Sequence, residues 1–285
     1  MQDKAQTGLP FMKMHGLGND FVVIDKRQHP WVNITPAMAE AIADRHCGVG
    51  FDQLTVISTP VAAEQNTTKA HIRLDFLNAD GSTSAACGNA TRCIARYEMD
   101  RTGASELNIE TARGMLFARD IGGGITAINM GAPQLSWDEI PLAEQMDTLI
   151  LPIEGDPTAT NMGNPHCSFF VDDADSVDLA AFGAAHEHHP LFPERTNVQV
   201  VQVLSPTRLR MRVWERGVGV TLASGSSSCA VAVAAARRGL AGRKVEIVLD
   251  GGILQVEWAQ DGVWMQGKTA HVFDGVLTPT FLAGL

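Results

Sequence analysis

The sequence predicts an α/β (α+β) chain built from two related lobes. Three observations carry this reading: strand-like and helix-like segments alternate throughout, turn motifs recur once in the same order, and 285 residues suit about two domains. Gly18–Asp25 is echoed by Gly163–Asp172, and Gln53 before a valine-bearing strand is echoed by Asn197 before Val198–Val201. The passage from Leu77–Gly81 to Cys87-Gly88 is echoed by that from Trp214–Gly217 to Ser224-Gly225. The offsets are 145, 144 and 137 residues, so the order is kept with one small deletion. Two such copies would face each other across a cleft and offer a ligand matched groups on its two faces. That arrangement suits inversion at a carbon, where one group removes a proton and its counterpart delivers one from the opposite side.

Taken in order, a glycine-punctuated turn at Gly16-Leu17-Gly18 feeds an apolar strand, Phe21–Asp25. This Gly-x-Gly precedes a strand instead of opening a helix after one, so it is not a dinucleotide fingerprint. Thr35-Pro36 starts a helix, with threonine as cap and proline in the first turn, whose apolar face runs through Met38 and Ile42 and which stops near Cys47–Gly50. Gln53–Ile57 reads as a strand, 64–69 as a polar loop, and His71–Leu77 as a strand leading to a turn at Asn78–Gly81 and a helix from Asn89 to about Met99. Residues 107–129 alternate around Gly114 and Gly122-Gly123-Gly124, as antiparallel strands joined by hairpins do. The acidic, proline-bearing stretch from Pro141 to Asp147 reads as a boundary region. The lobes are assigned to residues 1–130 plus 275–285, and 131–274.

The formal net charge of −10 argues against nucleic acid and anionic membrane surfaces as partners. The longest apolar run, Cys229–Ala236, ends at Arg237-Arg238, far short of a membrane span, and Met1–Gln6 lacks the pattern of a signal peptide. The expectation is a cytoplasmic protein with a small-molecule substrate. Cys47, Cys87, Cys93, Cys167 and Cys229 are odd in number and scattered, which fits reduced thiols. The cluster His186-Glu187-His188-His189 lacks zinc spacing and reads as a solvated helix end before Pro190. No metal and no cofactor is implied, since the chain has neither a phosphate loop nor a lysine in a Schiff-base motif.

The chemistry centres on Cys87–Cys93. It sets a thiol immediately before a helix start, where unpaired backbone N–H groups and the positive end of the peptide dipole bind carboxylate and favour thiolate over thiol.

Seven motifs in register resemble the diaminopimelate epimerase family across essentially the whole chain: Met14–Phe21, Gly50–Leu54, Asn78–Ser82, Cys87–Asn89, Met162–Cys167, Phe192-Pro193 to Asn197-Val198, and Glu215–Gly217. The resemblance implies two pseudo-symmetric lobes, each a rolled mixed sheet around a central helix, with the site in the interlobe cleft. It also implies PLP-independent conversion of LL-2,6-diaminopimelate to the meso form in lysine biosynthesis, by a chain that forms a homodimer. By the same resemblance, Asn19, Asn78, Asn164, Asn197 and Arg216 bind the distal carboxylate and ammonium, with Gln53 nearby. Glu215 pairs with an ammonium, His166 orients or polarises the reacting groups, and Gly88-Asn89 and Gly225-Ser226 supply backbone donors to the α-carboxylate. The residue types fit these roles. An amide serves either charge and an arginine holds a carboxylate with two parallel bonds, although any one of the asparagines alone would read as a turn residue.

The match breaks at one point. Where relatives carry a second catalytic cysteine in Ala-Cys-Gly, this chain reads Ala223-Ser224-Gly225, so Ser224 is the counterpart of Cys87. A serine hydroxyl is a poor base unless a neighbour such as His166 assists, and Cys229 lies too far into the helix to replace the thiol. Ala90 and Ser227 stand where the motif often has glycine, and Val220 where many relatives have glutamate. Three readings stay open: an epimerase altered at Ser224, a paralogue in which Cys87 alone abstracts a proton from another amino acid (a racemase or hydro-lyase), or an amino-acid-binding module without turnover. The complete distal set favours the first.

Overall fold

A computed structural model describes residues 8–61, 69–85 and 87–285. In chain order the elements of the first half are β1 (Leu9–Gly16), β2 (Asn19–Asp25), α1 (Pro36–Ala43), β3 (Gln53–Ser58), β4 (Ile72–Asn78), β5 (Thr83–Ser84), α2 (Gly88–Thr102), β6 (Glu106–Thr111) and β7 (Gly114–Asp120). Those of the second half are β8 (Thr126–Asn129), β9 (Thr158–Asn161), β10 (Pro165–Phe170), α3 (Leu179–Glu187), β11 (Asn197–Ser205), β12 (Arg208–Glu215), β13 (Gly219–Thr221), α4 (Gly225–Arg237), β14 (Lys244–Leu249), β15 (Gly252–Ala259) and β16 (Gly262–Gly267). β17 (Ala270–Leu277) and α5 (Pro279–Ala283) close the chain. The loop read at 64–69 lies, but for Lys69, outside the described residues.

The chain forms two compact units. One comprises the described part of Met1–Gly16, with Asp20–Thr126 and Lys268–Leu285; the other comprises Leu17–Asn19 and Ala127–Gly267. The return to the first unit comes at Lys268, ahead of the 275 read from the sequence, because β17 pairs with β1 along its length, from Leu9↔Leu277 to His15↔Ala270. The stretch Pro141–Asp147 lies inside the second unit, where Ile140 and Leu142 belong to its apolar core with Leu151, Phe169, Phe192 and Val198.

Each unit repeats one pattern of pairings. In the first, β2 runs parallel to β3, β3 antiparallel to β4, β4 antiparallel to β5 and parallel to β6, and β6 antiparallel to β7. In the second, β10, β11, β12, β13, β14 and β15 take the same relations in the same order. The register also matches: Phe21 sits opposite Gln53 in one unit and His166 opposite Asn197 in the other. The sequence repeat is therefore a structural one. β8 departs from the expected hairpin series and pairs with β16; the chain turns away from β7 at Gly122-Gly123-Gly124, whose φ values of +87°, +62° and +72° only glycine adopts freely in succession.

A helix is the core of each unit. α4 packs on β9, β10, β11, β14, β15 and β16. Its segment Cys229–Ala235 is apolar and small, with no residue more than 1% exposed, so strands can approach from several sides while alanine favours the helix. α2 packs on β1, β6 and β7 and buries Gly88–Ala95. It starts one residue earlier than the sequence reading and runs to Thr102, where Gly103 caps it at φ +74°. α1 begins as expected, with Thr35 Oγ1 accepting from Met38 N at 3.1 Å and Pro36 in the first turn.

Candidate functional site

The first unit presents Cys87 as the N-cap of α2, with extended backbone (φ −140°, ψ 107°) and Sγ accepting from Ala90 N at 3.5 Å. Thr91 donates to Cys87 O from both N (2.9 Å) and Oγ1 (2.7 Å), which fixes the carbonyl and leaves the half-buried sulfur at the helix mouth. Gly88 and Asn89 are buried in the first turn. The other thiols lack this setting: burial pushes Cys93 up to about 12 and raises Cys167 as well, Cys229 is buried within α4, and Cys47 is exposed away from any helix start. Gln53 and Asn78 are partners in the β3–β4 register, and Gln53 Nε2 donates to Asn78 Oδ1 at 2.9 Å while Asn78 Nδ2 donates to Ser82 Oγ at 3.0 Å.

The second unit presents Ser224 in the same way. It is the N-cap of α4 with φ −136° and ψ 122°, and Ser228 donates to its carbonyl from N (3.1 Å) and Oγ (2.8 Å), as Thr91 does to Cys87. The hydroxyl does not cap the helix. It donates to Glu215 Oε2 at 3.0 Å, while Thr221 Oγ1 donates to Oε1 at 2.6 Å. The side chain that accepts the Ser224 hydroxyl is therefore Glu215, at the end of β12. Gly225 is buried and Ser226 half-buried in the first turn of α4.

His166 is fully buried. Gln199 Nε2 donates to its Nδ1 at 3.0 Å and to Ser227 Oγ at 3.2 Å, and Ser168 Oγ donates to Gln199 Oε1 at 3.1 Å. With Nδ1 accepting, the ring proton sits on Nε2 and is donated to Asn164 Oδ1 at 2.8 Å. Asn197 is a brace: its Nδ2 donates to Pro165 O at 2.8 Å, and its Oδ1 accepts Arg216 N at 3.0 Å. Arg216 Nη1 donates to Glu194 O at 2.9 Å. Asn19 closes the Leu17–Asn19 turn, which belongs to this unit. There a Cβ on Gly251 would fall 2.0 Å from Leu17 O, and one on Gly18 would meet Leu222 at 3.0 Å.

The sequence reading missed Gln199, Ser168, Ser227 and Thr221, and misread Glu187. Gln199 had a visible signal, since a polar residue interrupts the valines of a strand buried on both faces. Glu187 is 4% exposed, so the helix end at His186–His189 is not wholly solvated, although His188 is exposed. Among the described residues no group of three or more His, Cys, Asp and Glu is placed to hold a metal ion, and no helix is long and apolar enough to cross a membrane.

The family model for diaminopimelate epimerase matches residues 11–136 and 158–272. The chain belongs to the diaminopimelate epimerase family. Curated members of that family share about half of its residues. The diaminopimelate epimerase of Rhodospirillum centenum is 52% identical over 279 residues, covering 96% of this chain and 94% of the relative. That of Acidiphilium cryptum is 50% identical over 280 residues, covering 96% and 98%. Among solved structures, a predicted epimerase from Pseudomonas aeruginosa superposes with a TM-score of 0.68 at 14% identity, covering 94% of this chain and 99% of that one. At that identity the likeness concerns the fold, and it extends the diaminopimelate epimerase architecture described above to a distant sequence.

Proposed function

We propose that this chain is a cofactor-independent isomerase that converts LL-2,6-diaminopimelate to the meso form in lysine biosynthesis. The observation that carries the reading is the equivalence of Cys87 and Ser224: both are N-caps, with matching dihedrals and the same carbonyl contacts, on matched helices of a repeated unit. Near-complete coverage by relatives of that name, at about half identity, supports the substrate.

In this reading the α-carboxylate is held by backbone N–H groups of Gly88-Asn89 and Gly225-Ser226, which stabilise the charge that develops when the α-proton leaves. Asn19, Asn78, Asn164, Asn197, Arg216 and Gln53 form the distal set, and Glu215 also offers its charge to an ammonium. Cys87 is one proton carrier. The other is the Ser224–Glu215 pair: Ser224 Oγ takes the α-proton while its own proton passes to Glu215 Oε2, and the Cys87 thiol then delivers a proton to the opposite face of the carbanion. The thiolate and the carboxylic acid left behind exchange protons with solvent to restore the starting state. His166 acts through Asn164.

We place the enzyme in the cytoplasm, on the strength of its acidic composition and its free thiols, and assign it a homodimeric state supported by the exposed apolar Val272, Phe273 and Val276 of β17.

The test is incubation with LL-diaminopimelate in deuterated water, following α-deuterium and the LL to meso ratio separately. Exchange with inversion is expected. Exchange without inversion would assign a site with a single working base, and binding without exchange would refute catalysis.

A further inference from the structure

Glu187 ends α3 and is 4% exposed, yet no role follows for it from the chemistry above. A carboxylate this deeply buried is retained only when donors satisfy both oxygens. Here Oε2 accepts Trp214 Nε1 at 2.7 Å, and Oε1 accepts Gly217 N at 3.0 Å and Arg195 Nη1 at 3.3 Å, with His188 Nε2 at 3.8 Å. Trp214 and Gly217 flank Glu215-Arg216. The carboxylate thus grips the β12 turn on both sides of the two residues assigned to substrate, while Asn197 Oδ1 holds Arg216 N from β11. The helix stands at a fixed distance from this turn: a Cβ on Gly183 would fall 2.3 Å from Trp214 Cγ, so α3 seats against the indole only through a glycine. Thr196 N donates to Glu187 O at 3.1 Å and ties the same helix end to the strand that begins with Asn197.

We infer that Glu187 is a positioning residue that sets the Glu215–Gly217 turn, and through it the direction of the Arg216 guanidinium, for recognition of the substrate's distal carboxylate. The inference rests on the proposed role of Arg216. A carboxylate is required because both of its ends must accept. A carboxamide would aim an NH2 group at either the indole N–H or the Gly217 N–H, and the turn would have to move.

The test compares Glu187→Gln, Arg216→Met and the double variant in the full chain. Titration calorimetry gives Kd for LL-diaminopimelate, and α-deuterium incorporation at saturation gives the exchange rate. Glu187→Gln is expected to raise Kd by about tenfold or more, while the saturated exchange rate stays within about threefold. Arg216→Met is expected to raise Kd at least as much, and the double variant to bind no worse than Arg216→Met alone, because a residue that acts through Arg216 adds nothing once the guanidinium is gone.

An unchanged Kd in Glu187→Gln beside a raised Kd in Arg216→Met overturns the positioning role and leaves the substrate assignment standing. An unchanged Kd in Arg216→Met overturns that assignment and this inference with it. Where Glu187→Gln fails to fold, by far-ultraviolet circular dichroism, Trp214→Phe removes one donor and keeps a ring against Gly183. A raised Kd in that variant supports the inference, and an unchanged one overturns it.

Discussion

Replacing Ser224 by Cys tests the proposal that this position carries a proton opposite Cys87. In the proposed mechanism the base behind the serine is the Glu215 carboxylate, which accepts a 3.0 Å hydrogen bond from Ser224 Oγ. At ordinary values a carboxylate is a weaker base than a thiolate by roughly four pK units. If about half of that difference is expressed in the transition state, a thiol at this position accelerates proton transfer by about 10²-fold, or about 2.7 kcal/mol. The backbone is already suited to it, since Ser224 shares its dihedrals and helix-start position with Cys87. Repulsion from Glu215 opposes the thiolate, and the α4 N-terminus favours it. The assay is LL to meso conversion in deuterated water, with substrate binding measured on the same preparation. A Ser224→Cys variant that binds diaminopimelate as before and gains nothing in inversion would refute the assignment of this position as a proton carrier.

The remaining expectations concern the thiol and the buried polar groups. Cys87→Ala should abolish LL to meso inversion while leaving thermal stability within about 1 kcal/mol, because the side chain is half-buried and its sulfur accepts only weakly from Ala90 N; inversion that persists in the deuterium assay would remove Cys87 from the mechanism. Gln199→Leu should take one partner each from His166 Nδ1, Ser168 Oγ and Ser227 Oγ, leaving the 3.5 Å contact of Ser227 Oγ with His166 Nδ1, and lower stability by about 2 kcal/mol in urea titration, with weaker diaminopimelate binding, since the ring that orients Asn164 is held less firmly. Arg27→Met should destabilise the first unit by about 3 kcal/mol in thermal unfolding, because Arg27 Nη2 bridges Asp25 (2.7 Å) and the buried Glu98 (2.5 Å). For Asp25 and Glu98, burial opposes ionisation, but Arg27, and for Glu98 also Arg101, outweighs it and holds both below their ordinary 3.8 and 4.5. This contribution is therefore complete above about pH 4.5 and is lost as the pH falls through the lowered values, so the difference between wild type and Arg27→Met should shrink on acidification.

Much of this molecule is written locally. The two-lobed organisation follows from recurring turns, because glycine and asparagine at matched offsets force the chain to reverse at matched places, and alternating apolar residues then define the strands between. Cys87 and Ser224 were legible as counterparts for the same reason: an N-cap depends on only a few residues on either side of it. The helix opened by Thr35-Pro36 was legible on those grounds too.

Other features depend on which strands become neighbours, and sequence spacing does not encode that. Nothing near His166 announces that Gln199 will donate to its ring, because that bond exists only once β10 and β11 pair in parallel. Ser224 is answered by Glu215 rather than His166 because β13 folds back on β12 and brings the helix start to the strand end. Glu187 is the clearest case. Among three histidines it has the composition of a solvated helix end, and only the seating of α3 against Trp214 surrounds it with donors. Short-range sterics and turn chemistry thus fixed the elements and the two helix starts, while long-range pairing decided which buried polar groups meet and which side chain accepts the Ser224 hydroxyl.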